Sequence, residues 1–320
     1  MMKRRAMLAG LAGLGLPGLS RAQAGWPART VRFVVPFAPG GPVEVPTRFI
    51  AEHLSQSFGQ SFIVEAKPGA GGALGIQHVV QQNDPHVLLS TTSSVAILPA
   101  LMRNPSYDPM ADLVPISLLT DAPMVVLTRP DHRIRDLAGM LAEARAKPGR
   151  VTYASSGVGT TTHLGGALLC AKAGIEMLHI PYRGAAQAVN ALYAGDTDLM
   201  VTGTGEAMAH IREGRLRALC VTSATRSPLL PEVPAAAELV PGYAIAIWYA
   251  MFGPRAMPAE TVQRINQAVA PLREGTPLAA RAAAAGQTLL LDGPAPLAER
   301  LAREVPQWKE LAVTANIRAE

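Results

Sequence analysis

Short apolar runs alternate with stretches of helical period along most of this chain. The runs at 31–35, 61–65, 87–89, 123–128, 151–154, 177–181, 198–201, 216–222 and 245–252 are of strand length. Helical spacing falls between them, at 48–57, 75–81, 136–146, 164–173, 185–193 and 207–213. Asp136 stands where it would cap the helix that follows it. Such alternation predicts a parallel sheet with helices on both faces. After 252 the pattern changes, and only helices are predicted, at 259–273, 276–285 and 295–313. Pro228, Pro231, Pro234 and Pro241 mark a connection expected to run over the surface. Pro46 is expected to delay the first helix, since proline is tolerated only in a first turn.

The first residues follow a different rule. Lys3, Arg4 and Arg5 precede an apolar stretch over 6–19, and Ala22, Gln23 and Ala24 then form a small-x-small cleavage signature. That order predicts a removable export signal, with an uncleaved anchor as the alternative. The apolar stretch is short of the roughly 20 residues a membrane-spanning helix needs. Export to the periplasm and cleavage after Ala24 are expected, while Arg4 and Arg5 leave general and twin-arginine export both open. Loss of residues 1–24 removes four basic residues and no acid, so the formal charge falls from +5 to +1. Nucleic-acid binding through backbone charge is then not expected. Cys170 falls in a helical pattern and Cys220 in a strand pattern, and two buried unpaired thiols are expected in preference to a bridge.

Common catalytic signatures are missing. None of the seven histidines has a second ligand at metal spacing, and neither a nucleophile elbow nor a Walker loop occurs. The glycine-rich turn at 69–75 departs from the dinucleotide fingerprint, because Leu74 takes the third glycine position. No cofactor, no metal and no enzymatic reaction are therefore expected. What recurs is a strand, a Gly/Ser/Thr turn and a helix start, at 38–41, 68–72, 91–94, 155–162, 183–186 and 202–206. Helix starts carry unpaired N–H groups and the positive end of a dipole, and so attract carboxylate or phosphate. In open parallel sheets these turns gather at the strands' carboxyl edge.

The segments 35–42 (Val-Pro-Phe-Ala-Pro-Gly-Gly-Pro), 67–72, 107–117, 147–157, 180–184, 216–223 and 248–254 appear in an order and spacing that resemble the Bug family. These are the periplasmic receptors of tripartite tricarboxylate transporters. The resemblance spans nearly all of the chain after residue 24 and implies an α/β, two-lobed periplasmic-binding-protein fold, type II-like. Two interlobe crossovers and C-terminal helices packed on the first lobe are implied with it. Lobe one is expected over 25–123 and 248–320, and lobe two over 124–247. Family ligands are mostly small carboxylates held by backbone amides and water.

Carried onto this chain, the resemblance places Phe37, Pro39, Gly40 and Gly41 in a first ligand loop, and Gly71, Gly72 and Ala73 in a second. Ser155, Ser156, Gly157, Thr160 and Thr161 supply the opposing lobe. The turns themselves add Thr91, Thr92, Ser93, Thr202 and Gly203. Three side chains have two readings each. Glu44 is either a ligand contact or a partner of a helix dipole; Arg183 is either a carboxylate clamp or a surface residue; His163 either touches ligand or packs. The chain departs from the family at Glu44 and Thr202, where aspartate is usual, and at Ala66 and Ala73, where polar residues are usual, so ligand identity does not carry over. Expected partners are a small carboxylate and the transporter's membrane subunits, with a sensor kinase as the alternative, and the protein is expected to be a monomer.

Overall fold

A computed structural model describes residues 25–318 apart from Pro42, Arg183 and Ala285. The expected export signal and the expected contact of Arg183 lie outside the described residues. The chain begins with β1 (Val31–Val35), α1 (Glu44–Phe58), β2 (Phe62–Ala66), α2 (Ala73–Gln82), β3 (Val87–Thr92) and α3 (Ser94–Leu101). A long strand, β4 (Leu113–Thr128), leads into α4 (Leu137–Ala146), β5 (Thr152–Ser155), α5 (Thr161–Ala173), β6 (Leu178–Pro181) and α6 (Ala185–Ala194). Next come β7 (Leu199–Gly203), α7 (Thr204–Arg212), β8 (Arg217–Val221) and β9 (Ala246–Pro254). The last elements are α8 (Ala259–Val269), α9 (Pro277–Ala284), β10 (Thr288–Asp292) and α10 (Pro294–Thr314).

Two sheets share one strand. The first runs β2-β1-β3-β9-β4, with β10 on the far side of β4, and the second runs β6-β5-β7-β4, with β8 beyond. Each sheet carries its own helices, which gives two lobes. The handover within β4 is sharp: Pro123 pairs with Ala246 in the first sheet, and Met124 pairs with Gly203 in the second. Proline cannot donate to a ladder, so the strand loses a rung where it changes sheet. Two threonines tie the crossing down. Thr204 Oγ1 donates to Pro123 O at 2.7 Å. Thr222 Oγ1 accepts from Met124 N at 3.0 Å and donates to Ile245 O at 2.7 Å, so one buried hydroxyl joins both crossing segments.

Several expectations need correction. The sheets are mixed: β1, β2 and β3 are parallel, as are β5, β6 and β7, but β4 runs antiparallel to β7, β8, β9 and β10. A strand that carries the chain between lobes cannot keep the direction of a βα unit. The end of the chain is not all helix, because Thr288–Asp292 form β10 against β4. α1 starts at Glu44 and not after Pro46, which sits in the first turn, where the helix needs no N–H donor and the missing one costs no bond. The Pro-rich connection is not wholly superficial: Leu230, Ala235, Ala236 and Val240 are buried, and Ala235 pairs with Val221. Asp136 does cap α4, accepting from Gly139 N at 2.7 Å.

Three apolar clusters fill the spaces between sheets and helices. The largest runs from α2 and α3 through Trp248 to α4, α5 and α10. α10 is also locked by charge: Arg300 reaches Asp121 with two nitrogens, at 3.2 and 2.8 Å, and Glu304 accepts the indole N–H of Trp248 at 2.9 Å. Asp121 and Trp248 are paired across β4 and β9, so α10 is bolted to both crossing strands. Cys170 and Cys220 are free thiols, and burial pushes them up to about 11 and about 12 respectively.

Candidate functional site

A cavity of about 840 Å³ opens between the lobes at the carboxyl ends of β1, β3 and β5. Lobe one lines it with Phe37, Ala70, Gly71, Thr92, Ser94, Leu98 and Met102; lobe two adds Val158, Gly159, Thr160 and Thr161; Arg318 completes the wall. A cavity of about 900 Å³ lies behind α5, at the other edge of the second sheet, and meets none of the strand-end turns. The interlobe cavity is therefore the candidate site, by the rule that ligands sit outside strand carboxyl ends.

The second loop is the most constrained part of this wall. Residues 69–72 all hold positive φ, with Ala70 at 47° among three glycines. A non-glycine residue is uncommon there, and strain of this kind gathers at functional loops. A side chain at Gly72 would meet the Phe37 ring at 3.4 Å, which packs the first loop against the second. Ala73 is buried at the start of α2.

The first loop divides. Phe37 faces the cleft, whereas Gly40 and Gly41 open onto a separate cavity of about 190 Å³ with Thr120, Leu278, Arg281 and Gln287. Pro39 is exposed. Glu44 is 3% exposed; its carboxylate accepts the N–H of Gly40 and the guanidinium of Arg48. The Gly40 amide, then Arg48, hold this carboxyl below its usual range. It is engaged in shaping its own loop.

The third and fourth loops meet. Thr92 lines the cavity, and the buried Ser93 Oγ lies 3.1 Å from Thr161 Oγ1 on the other lobe. Thr91 is buried, with a hydroxyl that has no partner among the described residues. In the fourth loop most amides are used internally: Ser156 N donates to Thr162, Gly157 N to Ser155, and Gly159 N to His163 Nδ1 at 3.1 Å. Thr160 caps α5 by accepting from His163 N. Among the described residues, the N–H groups of Gly71, Val158 and Thr161 meet no acceptor.

Behind this loop, His163 and His179 stack with ring centroids 3.8 Å apart. Burial pulls them down to about 4 and about 3, and His163 adds to the effect on His179. His179 Nε2 lies 2.7 Å from Ser155 Oγ, the spacing of a nucleophile and its base. Ser155 is fully buried, however, and its hydroxyl also serves Gly157, so the pair shapes the loop. Thr202 is buried and donates to Glu206, and Gly203 precedes α7; neither lines the cleft.

Of the further lining residues, Ala70, Ser94, Val158 and Gly159 lie in turns that the sequence marks without being singled out there, and Leu98, Met102 and Arg318 lie outside them. Leu98 and Met102 lie in and just after an evenly apolar helix with no amphipathic period to read, and Arg318 carries no signal either. Among the described residues the lining has no acidic side chain. Among the described residues no group of three or more His, Cys, Asp or Glu is placed to hold a metal.

The sequence pattern of the tripartite tricarboxylate transporter family receptors matches residues 47–280. The chain belongs to this family. The Bug-type character expected from the ordered motifs is supported by BugT of Bordetella pertussis (strain Tohama I), 32% identical over 88% of this chain and 88% of its own length. A Pseudomonas sp. (strain P51) relative, a UPF0065 protein in the tcbD-tcbE intergenic region, is 35% identical over 99% of this chain and 96% of its own length. Among solved structures, R. palustris Rpa4515 with adipate has a TM-score of 0.76 and 29% identity, covering 92% of this chain and 99% of that one. MatC from Rhodopseudomonas palustris with bound malate has a TM-score of 0.73 and 28% identity, over 89% and 99%. The family is one of periplasmic solute-binding receptors, and among the described residues no helix is long and apolar enough to cross a membrane.

Proposed function

We propose that this receptor captures a small carboxylate between its lobes, 25–123 with 248–320 against 124–247, and presents it to the membrane subunits of a tripartite transporter. The observation that carries the reading is a cavity lined from both lobes, with no acidic side chain among the described residues and, among them, no acceptor for the amides of Gly71, Val158 and Thr161. A ligand touching both lobes binds the closed form better than the open one, and that difference drives closure. Adipate and malate in two structural relatives support the ligand class. The receptor acts without chemistry on its ligand, as a monomer, after residues 1–24 have been removed on export.

A thermal-shift panel of mono-, di- and tricarboxylates tests this. A ligand at 100 times its Kd should add roughly 2.7 kcal/mol to stability. A panel in which no acid raises the melting temperature overturns the reading.

A further inference from the structure

We propose that Arg318 pairs with a second, distal carboxylate of the ligand and so makes the cleft select dicarboxylates over monocarboxylates. This rests on the reading of the cleft as a carboxylate site. Asn316 has φ 48°, its N–H donates to Val313 O at 3.3 Å, and the N–H of Ile317 reaches back to Ala312 O at 3.0 Å. These two bonds, with a left-handed residue between helix and tail, form a Schellman motif. Its usual apolar contact is present too, since Ile317 and Ala312 are both buried in the large core cluster. The chain is thereby turned at a fixed place, and the next residue, Arg318, joins the wall of the cavity that Gly71 and Thr161 also line.

Among the described residues Arg318 is the one charged residue of that wall, and it has no carboxylate partner among them. A cation beside neutral threonine, glycine and aliphatic side chains lacks local compensation, and a guanidinium matches a carboxylate with two parallel hydrogen bonds. Unpaired amides at Gly71, Val158 and Thr161 suit one end of a diacid, and Arg318 suits the other. Arg318 is exposed here; closure around a ligand would lower the local dielectric and strengthen the pair. Arg103 offers an internal control: it borders the neighbouring groove together with Arg318 but does not line the cleft.

Titration calorimetry on the wild type, Arg318→Gln and Arg103→Gln, with two pairs of acids, decides the matter. The pairs are adipate with hexanoate, and malate with 3-hydroxybutyrate; in each the second acid has a methyl group where the first has a carboxylate. Arg318→Gln should weaken the better-bound diacid by at least about tenfold, as loss of a hydrogen bond to a charged group does. Its mono-acid partner should change less than about twofold, as should both acids in Arg103→Gln, because solvated surface charges contribute little. The melting temperature without ligand should not move. An equal loss for diacid and mono-acid, or the same loss in Arg103→Gln, would mean a general field and overturns the proposal. A wild type that prefers neither diacid over its partner also overturns it, while binding of any carboxylate leaves the receptor reading standing. If no acid in the wider panel binds, the receptor reading itself has failed.

Discussion

Ser93 Oγ and Thr161 Oγ1 stand 3.1 Å apart across the cleft, one hydroxyl from each lobe. Ser93 is held from behind, since its N–H donates to Trp248 O at 2.9 Å on β9. Thr161 opens α5, whose cap at Thr160 fixes its place. The pair is thus a contact between two rigid supports. Ser93→Ala and Thr161→Val should each weaken ligand binding by about 0.5–1.5 kcal/mol, the net value of a neutral hydrogen bond. The double variant should lose little more than either single one. Calorimetry of the full cycle checks this, and strictly additive losses would show that the hydroxyls do not cooperate in closure.

Thr222 should matter for stability more than its size suggests. Thr222→Val keeps the shape but leaves the Met124 N–H and the Ile245 carbonyl without this partner at the point where the chain changes lobes. A loss of about 1–3 kcal/mol is expected from buried groups left unsatisfied. Chemical denaturation measures it; a change under half a kcal/mol (~0.5) would show that water replaces the hydroxyl there.

α10 gives a contrast between two substitutions. Arg300→Met removes the partner of Asp121 and one of the two cations beside the buried Glu304, so a loss of about 3 kcal/mol is expected. Glu304→Gln retains an acceptor for the Trp248 indole and removes a carboxylate that burial holds above its usual range. It should cost less than about 1 kcal/mol. Equal losses from the two would contradict this account of the network.

Acid should destabilise the fold through the stacked histidines. In the folded protein His163 and His179 titrate at about 4 and about 3, below the ordinary 6.5. Between those values and 6.5 the unfolded chain binds more protons than the folded one. Stability therefore falls as pH drops from about 6.5 toward 4, and is fully present above 6.5. Replacing His179 by Phe should flatten that slope, whatever it does to stability at neutral pH. Denaturation midpoints across pH 4–7 test this, and an unchanged slope would mean the histidines are not the acid-sensitive groups.

Much of the architecture was legible in local pattern. Runs such as 31–35 and the capping Asp136 have one physical solution each, and the helices after 259 follow from period alone. Three elements were not legible, for stated reasons. α3 is apolar on nearly every side and contains Pro99, so it has no amphipathic period to detect. The first half of β4 is buried between β9 and β10 and does not alternate. β10 is a short Leu run whose only evidence of being a strand is its partner.

The sequence by itself determined most of the order of strands and helices, the Gly/Ser/Thr turns at strand ends, and the family. Each is local or is carried by residues in fixed order, because periodicity and turn chemistry depend on near neighbours. Only the tertiary structure decided which turns meet and which of their donors stay free. A hydrogen-bond donor spent on one acceptor is largely lost to another, and the competing acceptors sit far apart in the chain or on different elements. Glu44 holds Gly40, His163 holds Gly159, and Ser93 finds Thr161 at a distance of 68 residues. Arg318 reaches the cleft because Asn316 and Ile317 turn the chain against a core assembled from both lobes, a condition that no stretch of sequence expresses alone.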